Sequence, residues 1–586
     1  MLSKLSETAE QRLHLAVITI AGLLRFVNLG FTDLQAWDEA LYAVRAEGVL
    51  VFGSWVDQAE FAIDGLYSAL HPPLYVWLTA ISFSIFDVTE FSVRFFSAVS
   101  GILTLSVVYF LGRELSNRSV GFLAALLFGL NPFVLFFSRQ GQFDSTLTLF
   151  LSLAVLCLLI SNRRKSRTLA IVAGMITGAA LMTKLFVGWG IPLAYLLWIV
   201  THRKARRERG MQLGLLLLGT ILVAAPWHVF MTVTHGDGDI FFFLNASSLV
   251  ERSVSGIEGN VKPLEVFYYF NQLLVLFPAG VFFFGFGLLK TIRSREAEWW
   301  FMGLWFLVFF IVFSTIRTKL AVYLLPMLVP VSLIAAHQIH ECVRGTSSRR
   351  TFSLLLAGTA LSLAWAASQV WRNGIKSVAG SIARFTFPSA ADLYLVTPLV
   401  GILALILLVT ALDLRRPFLD PVRRFLLPLI LVPSLLLCCY DVFILDTVRF
   451  KDGATELAEL VDEIDLSGIV VAGYERNPQL TYYLEGLDID WRDDITFRRV
   501  IPPKDRAEFR SWLTSEVVGE TEDVLLIVEK DKFIRYEWVT ADEVRPPDWS
   551  PVFDSRRYAA FMKKPVIQHA SLLNGPAGPV VVYPEL

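Results

Sequence analysis

Ser138-Arg139-Gln140-Gly141-Gln142-Phe143-Asp144 is a polar stretch that runs directly into residues 145–160, which carry no charge. A helix needs about 20 mainly apolar residues to cross a bilayer, and this run with its flanks supplies them. An acidic residue in the first turn suits the positive end of the helix dipole, so Asp144 reads as the rim of a membrane-spanning helix. Working outward, apolar runs of similar length recur through the first 445 positions. About thirteen spans are expected, starting near His14, Phe91, Val120, Asp144, Leu169, Leu185, Met211, Glu265, Trp299, Leu320, Phe352, Asp392 and Phe425.

Composition agrees. Of 586 residues, 55% are hydrophobic and 18% charged, and mean hydropathy is +0.56. Soluble domains carry about 25% charged residues, so a purely soluble enzyme is excluded. The 46 Phe and 15 Trp suit a lipid-facing surface. The net charge of −1 conceals a split: from Asp446 onward there are 27 acidic and 17 basic residues, a balance of −10, against +9 for the rest. There is no broad basic surface for nucleic acid. The four cysteines, Cys157, Cys342, Cys438 and Cys439, show no metal-ligand spacing. The first run contains Arg25 and no small-residue cleavage site, and reads as a retained span.

Short loops alternate in charge. Arg163-Arg164-Lys165 with Arg167, the group around Arg203–Arg209, and Arg415-Arg416 with Arg423-Arg424 belong to a basic set, while the interleaved loops are poorer in Lys and Arg. The positive-inside rule assigns the basic set, and with it the N-terminus, to the cytoplasm; an odd span count then puts the tail outside. The outer side carries three elaborate segments: 33–90, 235–262 and 372–391. Apolar stretches such as Leu74 to Phe86 are short and suit the interface. Residues 446–586 read as a small α/β domain, with strands at 468–473 and 524–528 and helices at 454–464 and 506–513. The division expected is thus a membrane domain, 1–445, and a soluble extracytoplasmic domain, 446–586.

Ionisable groups gather on the outer side. Asp38-Glu39 follows the first span; the pair is either acidic decoration of a helix start or a general base with its orienting neighbour. Asp144 lies on the same side, as a helix-end residue or a partner in a shared site. Arg139, Arg252 and Lys319 can each snorkel to the interface. Lys184 sits between two spans with almost no loop to carry it, and an ionisable group so placed is a functional candidate. Together such cations suit a phosphate or pyrophosphate. His71-Pro72-Pro73 is a rigid turn, or a phosphate or metal contact. Lys319 and Tyr323, four apart, share a helix face if the span begins there.

These residues, taken in order, resemble a known family. Asp38-Glu39-Ala40-Leu41-Tyr42-Ala43, His71-Pro72-Pro73-Leu74-Tyr75, Glu90-Phe91-Ser92-Val93-Arg94, Ser138-Arg139 with Asp144, Thr183-Lys184, Pro226-Trp227, and Thr318-Lys319-Leu320 with Tyr323-Leu324-Leu325-Pro326 are similar to the C-type membrane glycosyltransferases. Within these, the likeness is to the aminoarabinose transferase of lipid A and the protein O-mannosyltransferase superfamily. It covers nearly all of the membrane part; the tail is similar more loosely.

The resemblance implies a mainly α, polytopic fold of about thirteen transmembrane helices with a small α/β extracytoplasmic domain. It implies sugar transfer from a polyprenyl-phosphate-linked donor to a lipid, glycan or protein hydroxyl at the outer face of the cytoplasmic membrane. Asp38 is then the candidate base, with Glu39 and Asp144 shaping the acceptor side or a divalent metal site. Lys184, Arg252 and Tyr323 match donor-phosphate positions, and Tyr42 lines the cavity. Leu41 and His71 stand where the aminoarabinose transferase pattern has Arg and Lys, which leaves sugar and acceptor open. A lipid or lipid-linked sugar transporter is the alternative class. Transporters often show inverted repeats and midplane charges, whereas here no repeat is visible and the charges cluster at one face.

Overall fold

The structure, a computed structural model, describes residues 7–35, 38–63, 71–202, 206–235 and 267–378, with shorter stretches within 427–443 and 453–562. Among the described residues, five helices are long and apolar enough to cross a membrane: Glu90–Leu115, Phe143–Arg164, Arg206–His235, Ala297–Thr315 and Ala321–Val343. Shorter apolar helices, among them Arg118–Gly129, Arg167–Leu181 and Leu185–Thr201, pack between them. Helices also begin near the expected starts His14, Val120, Leu169 and Phe352, as Glu7–Leu23, Arg118–Gly129, Arg167–Leu181 and Arg349–Val378, but these four are not among the five long apolar helices. Those expected at Asp392 and Phe425, and the start at Glu265, lie outside the described residues, as do most of the outer segments 235–262 and 372–391.

Local chemistry sets where the helices begin. Thr89 and Ser92 form a reciprocal capping box, with Ser92 N donating to Thr89 Oγ1 at 3.2 Å and Thr89 N to Ser92 Oγ at 3.0 Å. Asn117 and Ser166 cap the shorter helices Arg118–Gly129 and Arg167–Leu181 through Val120 N and Leu169 N. Small residues then set the closest approach. A Cβ at Gly174 would lie 2.1 Å from Leu216 O and one at Gly219 would lie 2.3 Å from Ile171 O. Helices Arg167–Leu181 and Arg206–His235 therefore cross backbone to backbone, the arrangement small residues permit where lipid offers no hydrophobic drive. A hydroxyl seam joins Glu90–Leu115 to Phe143–Arg164: Ser97 Oγ donates to Gln142 O at 2.8 Å and Ser145 Oγ to Ser97 O at 2.9 Å.

Helices Asp38–Phe52 and Leu74–Phe86 pack on each other, and the second also packs on Glu90–Leu115. At 13 residues the second is about 20 Å long, short of the roughly 30 Å hydrocarbon core. A compact core of Leu34, Tyr42, Phe61, Tyr75, Val93 and Phe143 fastens these two helices to the bundle.

The tail holds a five-stranded sheet in the order β2-β1-β3-β5-β4, with β1 Gly468–Ala472, β2 Thr496–Val500, β3 Val524–Glu529, β4 Ser550–Asp554 and β5 Tyr558–Met562. β1 pairs in parallel with β2 and β3; β5 runs antiparallel to β3 and β4. Helix Ala454–Glu463 packs its Leu457 and Val461 on Ile469, Leu525 and Ile527. Strands β1 and β3 were expected from their apolar runs. The helix expected at 506–513 lies outside the described residues.

Candidate active site

Phe143, at the start of its helix, is the hub of a cluster of aromatic and charged side chains. The ammonium of Lys184 lies 4.5 Å from its ring centroid and 4.8 Å from that of Tyr323. Tyr42 meets Phe143 edge-on with centroids 5.3 Å apart, and the His71 ring lies near-parallel to it at 6.3 Å. Tyr42 also contacts the Tyr75 ring at 5.6 Å. Lys184 Nζ is 3.4 Å from Asp144 Oδ1. An ammonium between two aromatic faces and one carboxylate is held by cation–π attraction as well as by charge.

Short backbone features aim these side chains. Lys184 is an extended residue (φ −151°, ψ 100°) between two helices, its N–H bonded to Ala180 O at 2.9 Å. Tyr323 lies in the 3₁₀ turn Ala321–Leu324 and stacks on Phe313 with centroids 4.6 Å apart. Asp38 is the exposed first residue of helix Asp38–Phe52. It stands one helical turn before Tyr42, whose ring meets Phe143.

Glu39 is placed differently. It is fully buried, and Arg94 binds it in bidentate fashion, Nε to Oε1 at 2.9 Å and Nη2 to Oε2 at 3.0 Å. Gln35 N–H adds a bond to Oε2 at 2.8 Å, and Gly141 N–H another to Oε1. A side chain at Gly141 would collide with Val93 Cγ1 at 2.5 Å, so glycine is required for that approach. With each oxygen accepting two hydrogen bonds, Glu39 fixes the start of the helix and is poorly placed to take a proton.

Two more expected contacts differ for clear reasons. Lys319 and Tyr323 do not share a helix face, because residues 318–320 precede the 3₁₀ turn. Lys319 is buried and donates to Phe313 O at 2.9 Å and Ser314 O at 2.7 Å. Its charge thus serves the carbonyl end of helix Ala297–Thr315, where a cation is favoured. Arg139, also buried, donates from Nη1 to Leu24 O and Arg25 O, both at 3.0 Å; it is not a snorkelling side chain. Arg252 lies outside the described residues. Among the described residues no three His, Cys, Asp or Glu side chains gather as metal ligands.

Sequence reasoning assigned no role to Phe143, Arg94 or Arg45. Buried Arg45 donates to Gln58 Oε1 at 2.6 Å and to His71 O at 3.1 Å, which fixes the His71 turn. Burial draws its pKa down to about 10, which leaves it protonated. Its signal was visible as a lone charge in the small and apolar run Ala43-Val44-Arg45-Ala46.

Comparison with known proteins bears on this arrangement. The family described as dolichyl-phosphate-mannose-protein mannosyltransferase matches residues 70–229. A Proteus mirabilis protein named undecaprenyl phosphate-alpha-4-amino-4-deoxy-L-arabinose arabinosyl transferase 2 is 28% identical over 320 residues, covering 52% of this chain and 56% of that one. A Pseudomonas aeruginosa protein of the corresponding name is 29% identical over 359 residues, covering 58% and 62%. The chain thus spans little more than half the length of these curated relatives. ArnT from Cupriavidus metallidurans, solved with undecaprenyl phosphate, superposes with a TM-score of 0.65 at 17% identity, covering 96% of this chain and 99% of that one. The chain has the C-type glycosyltransferase fold. An Archaeoglobus fulgidus oligosaccharyltransferase superposes less closely, with a TM-score of 0.50 at 13% identity over 88% and 70% of the two chains.

In this multi-pass membrane protein, which resembles the aminoarabinose and protein O-mannosyl transferases, Lys184, Tyr42 and His71 lie against the Phe143 ring, and Asp144 and Tyr323 lie against Lys184. Asp38 stands one helical turn before Tyr42. Glu39, Lys319 and Arg139 belong to the frame that holds them.

Proposed function

We propose that the protein transfers a sugar from a polyprenyl-phosphate-linked donor to the hydroxyl of a lipid, glycan or protein acceptor, with inversion, at the outer face of the cytoplasmic membrane. The membrane domain, residues 1–445, performs the transfer; residues 446–586 form an extracytoplasmic domain above it. The N-terminus is cytoplasmic, in keeping with the charge alternation of the loops.

One observation carries this reading. The Lys184 ammonium is partly exposed, 20% by side chain, and its one carboxylate contact among the described residues is long at 3.4 Å. A cation so placed can turn from Asp144 to an anionic ligand while the rings of Phe143 and Tyr323 hold it. A phosphate that gains charge as its bond to the anomeric carbon breaks is stabilised by such a cation, because the group is already oriented.

The steps balance as a single displacement. Asp38 accepts the proton of the acceptor hydroxyl, and that oxygen bonds to the anomeric carbon from the face opposite the phosphate. The bond from anomeric carbon to phosphate oxygen breaks, and its electron pair leaves with the polyprenyl phosphate. Asp38 suits the base role and Glu39 does not, since only Asp38 is exposed. Lys184 and Tyr323 face the phosphate; Tyr42 and His71 line the sugar side with Phe143.

A general base contributes about 10²- to 10⁴-fold. Asp38→Asn in purified, detergent-solubilised protein should lower release of polyprenyl phosphate by that factor while the thermal midpoint stays unchanged. Wild-type turnover in the variant would remove Asp38 from the role. Turnover in detergent also separates an enzyme from a transporter, because a micelle has no second compartment.

A further inference from the structure

The C-terminal tail does more than rest on the membrane domain. Helix Ala454–Glu463 has Gly453 at its N-cap, with φ +88° and no side chain to cap the helix. The cap comes from Asp33 in the first outer loop. Its Oδ2 accepts from Gly453 N at 3.0 Å and Ala454 N at 3.2 Å, and its Oδ1 from Thr455 Oγ1 at 2.6 Å. An acidic oxygen on the free N–H groups of a helix start is a strong cap, supplied here across more than 400 residues of sequence.

The next residue is gripped on both sides by the tail. Leu34 N–H donates to the Tyr483 hydroxyl at 3.0 Å, and Gln479 Nε2 donates to Leu34 O at 2.7 Å. The Tyr483 hydroxyl in turn donates to Glu90 Oε1 at 2.9 Å, and the Tyr558 hydroxyl holds the Gln479 amide at 2.5 Å. Burial, with Glu90 and Asp33 nearby, pushes the Tyr483 phenol well above its ordinary pKa, so the hydroxyl remains a donor.

The membrane side grips the same segment from the other direction. Arg94 donates to Leu29 O and Thr32 O, both at 3.0 Å, and to Asp33 O at 2.8 Å, while also binding Glu39. The peptide from Leu29 to Gln35 is therefore held between the tail and Arg94. Asp38 follows four residues after Leu34.

We propose that Tyr483 is a positioning residue for the transfer reaction: through Leu34 and Glu90 the tail fixes the segment that presents Asp38. This rests on the reading of Asp38 as base, and the tail is then part of the frame of the site, not an appended module. The mechanism is electrostatically ordinary. A backbone N–H and a carboxylate left without their hydroxyl partner in a partly buried interface favour local opening, and opening moves the Asp38 carboxylate off its line to the acceptor.

The test uses full-length protein in nanodiscs, with undecaprenyl-phosphate-linked 4-amino-4-deoxyarabinose as the probe donor and an envelope lipid extract as acceptor. Hydrogen exchange is followed in peptides covering 29–44 and in the tail sheet, alongside kcat and donor KM. Tyr483→Phe should raise exchange in 29–44 about tenfold, leave β1 and β3 protected, and lower kcat about tenfold with donor KM unchanged. Glu90→Ala should do the same from the membrane side, whereas Glu90→Gln, whose amide oxygen still accepts, should behave as wild type.

Unchanged exchange in both Tyr483→Phe and Glu90→Ala overturns the proposal, as does raised exchange with unchanged kcat. If Tyr483→Phe unfolds the tail sheet, Glu90→Ala decides alone, since it alters no tail residue. Asp38→Asn separates the two readings. It should lower turnover about 10²- to 10⁴-fold without raising exchange. If it retains wild-type turnover, or if no variant or wild type turns over the probe, the base assignment or the reaction fails, while the exchange results still decide whether the tail holds the segment.

Discussion

Two cation–carboxylate pairs, Arg94–Glu39 and Lys184–Asp144, do opposite things. Arg94 and Glu39 are almost wholly buried, and every contact between them lies within 3.0 Å. Backbone N–H groups of Gln35 and Gly141 occupy the rest of the carboxylate. Lys184 and Asp144 meet once, at 3.4 Å, with the ammonium partly open and bordered by aromatic faces. The first pair is saturated and the second is not. A saturated buried pair has no capacity left for a ligand, whereas an unsaturated one at a rim can exchange its partner. The difference separates the frame from the site even though both pairs contain the same kinds of charge.

The sharpest way to break the contrast is to remove one partner of the saturated pair. Arg94→Ala leaves the Glu39 carboxylate buried and uncompensated and frees the carbonyls of Leu29, Thr32 and Asp33. Removing one member of a buried pair typically costs about 3–5 kcal/mol. Thermal unfolding of the purified variant should show a large loss, with poor yield of monodisperse protein. Replacing both Arg94 and Glu39 by Met should restore part of that loss, since no uncompensated charge remains. A midpoint within a degree of wild type for Arg94→Ala would mean that the pair is not the frame.

The unsaturated pair should respond differently. Lys184→Met leaves the buried Asp144 carboxylate without this cation, so the thermal midpoint should fall, but by less than in Arg94→Ala because the contact is single and long at 3.4 Å. A hydrogen bond from a charged group contributes about 1.5–3 kcal/mol, which corresponds to a tenfold to hundredfold rise in donor KM. Lys184→Arg should recover part of it, because a guanidinium also binds phosphate. A stability loss without a donor effect would place Lys184 in the frame with Arg94.

The same distinction explains what could be read from the sequence. Apolar runs announce helices because crossing a bilayer demands an uninterrupted length, so Glu90–Leu115 and Phe143–Arg164 were legible. Lys184 was legible because no loop carries it. Glu39, Arg139 and Lys319 read as site residues because sequence shows a charge but not its partners. Glu39 is satisfied by Arg94 and Gly141, 55 and 102 residues away; Arg139 and Lys319 are satisfied by carbonyls at helix ends. In the tail, β1 and β3 are all apolar or small until Glu529 and stood out, while β2 carries Arg498 and Arg499 and β4 carries Pro551. Edge strands need only one buried face, and their pattern is weaker.

The smallest effect is expected at Tyr323, and it resolves which part of the cage acts. Its ring stacks on Phe313 and lies 4.8 Å from the Lys184 ammonium. Tyr323→Phe keeps both contacts and deletes only the hydroxyl. If that hydroxyl donates to the donor phosphate, its loss should raise donor KM about threefold to tenfold, the range for a single hydrogen bond of about 0.5–1.5 kcal/mol. Tyr323→Leu removes the ring as well and should add the cation–π share, about 0.5–1 kcal/mol at a partly exposed site. Isothermal titration with polyprenyl phosphate would read both steps. A Phe variant equal to wild type beside a weakened Leu variant assigns the effect to the ring and deletes the hydroxyl from the phosphate contacts. If the Leu variant also binds normally, Tyr323 leaves the cage, and the unsaturated pair must hold its ligand with Lys184 over Phe143 alone.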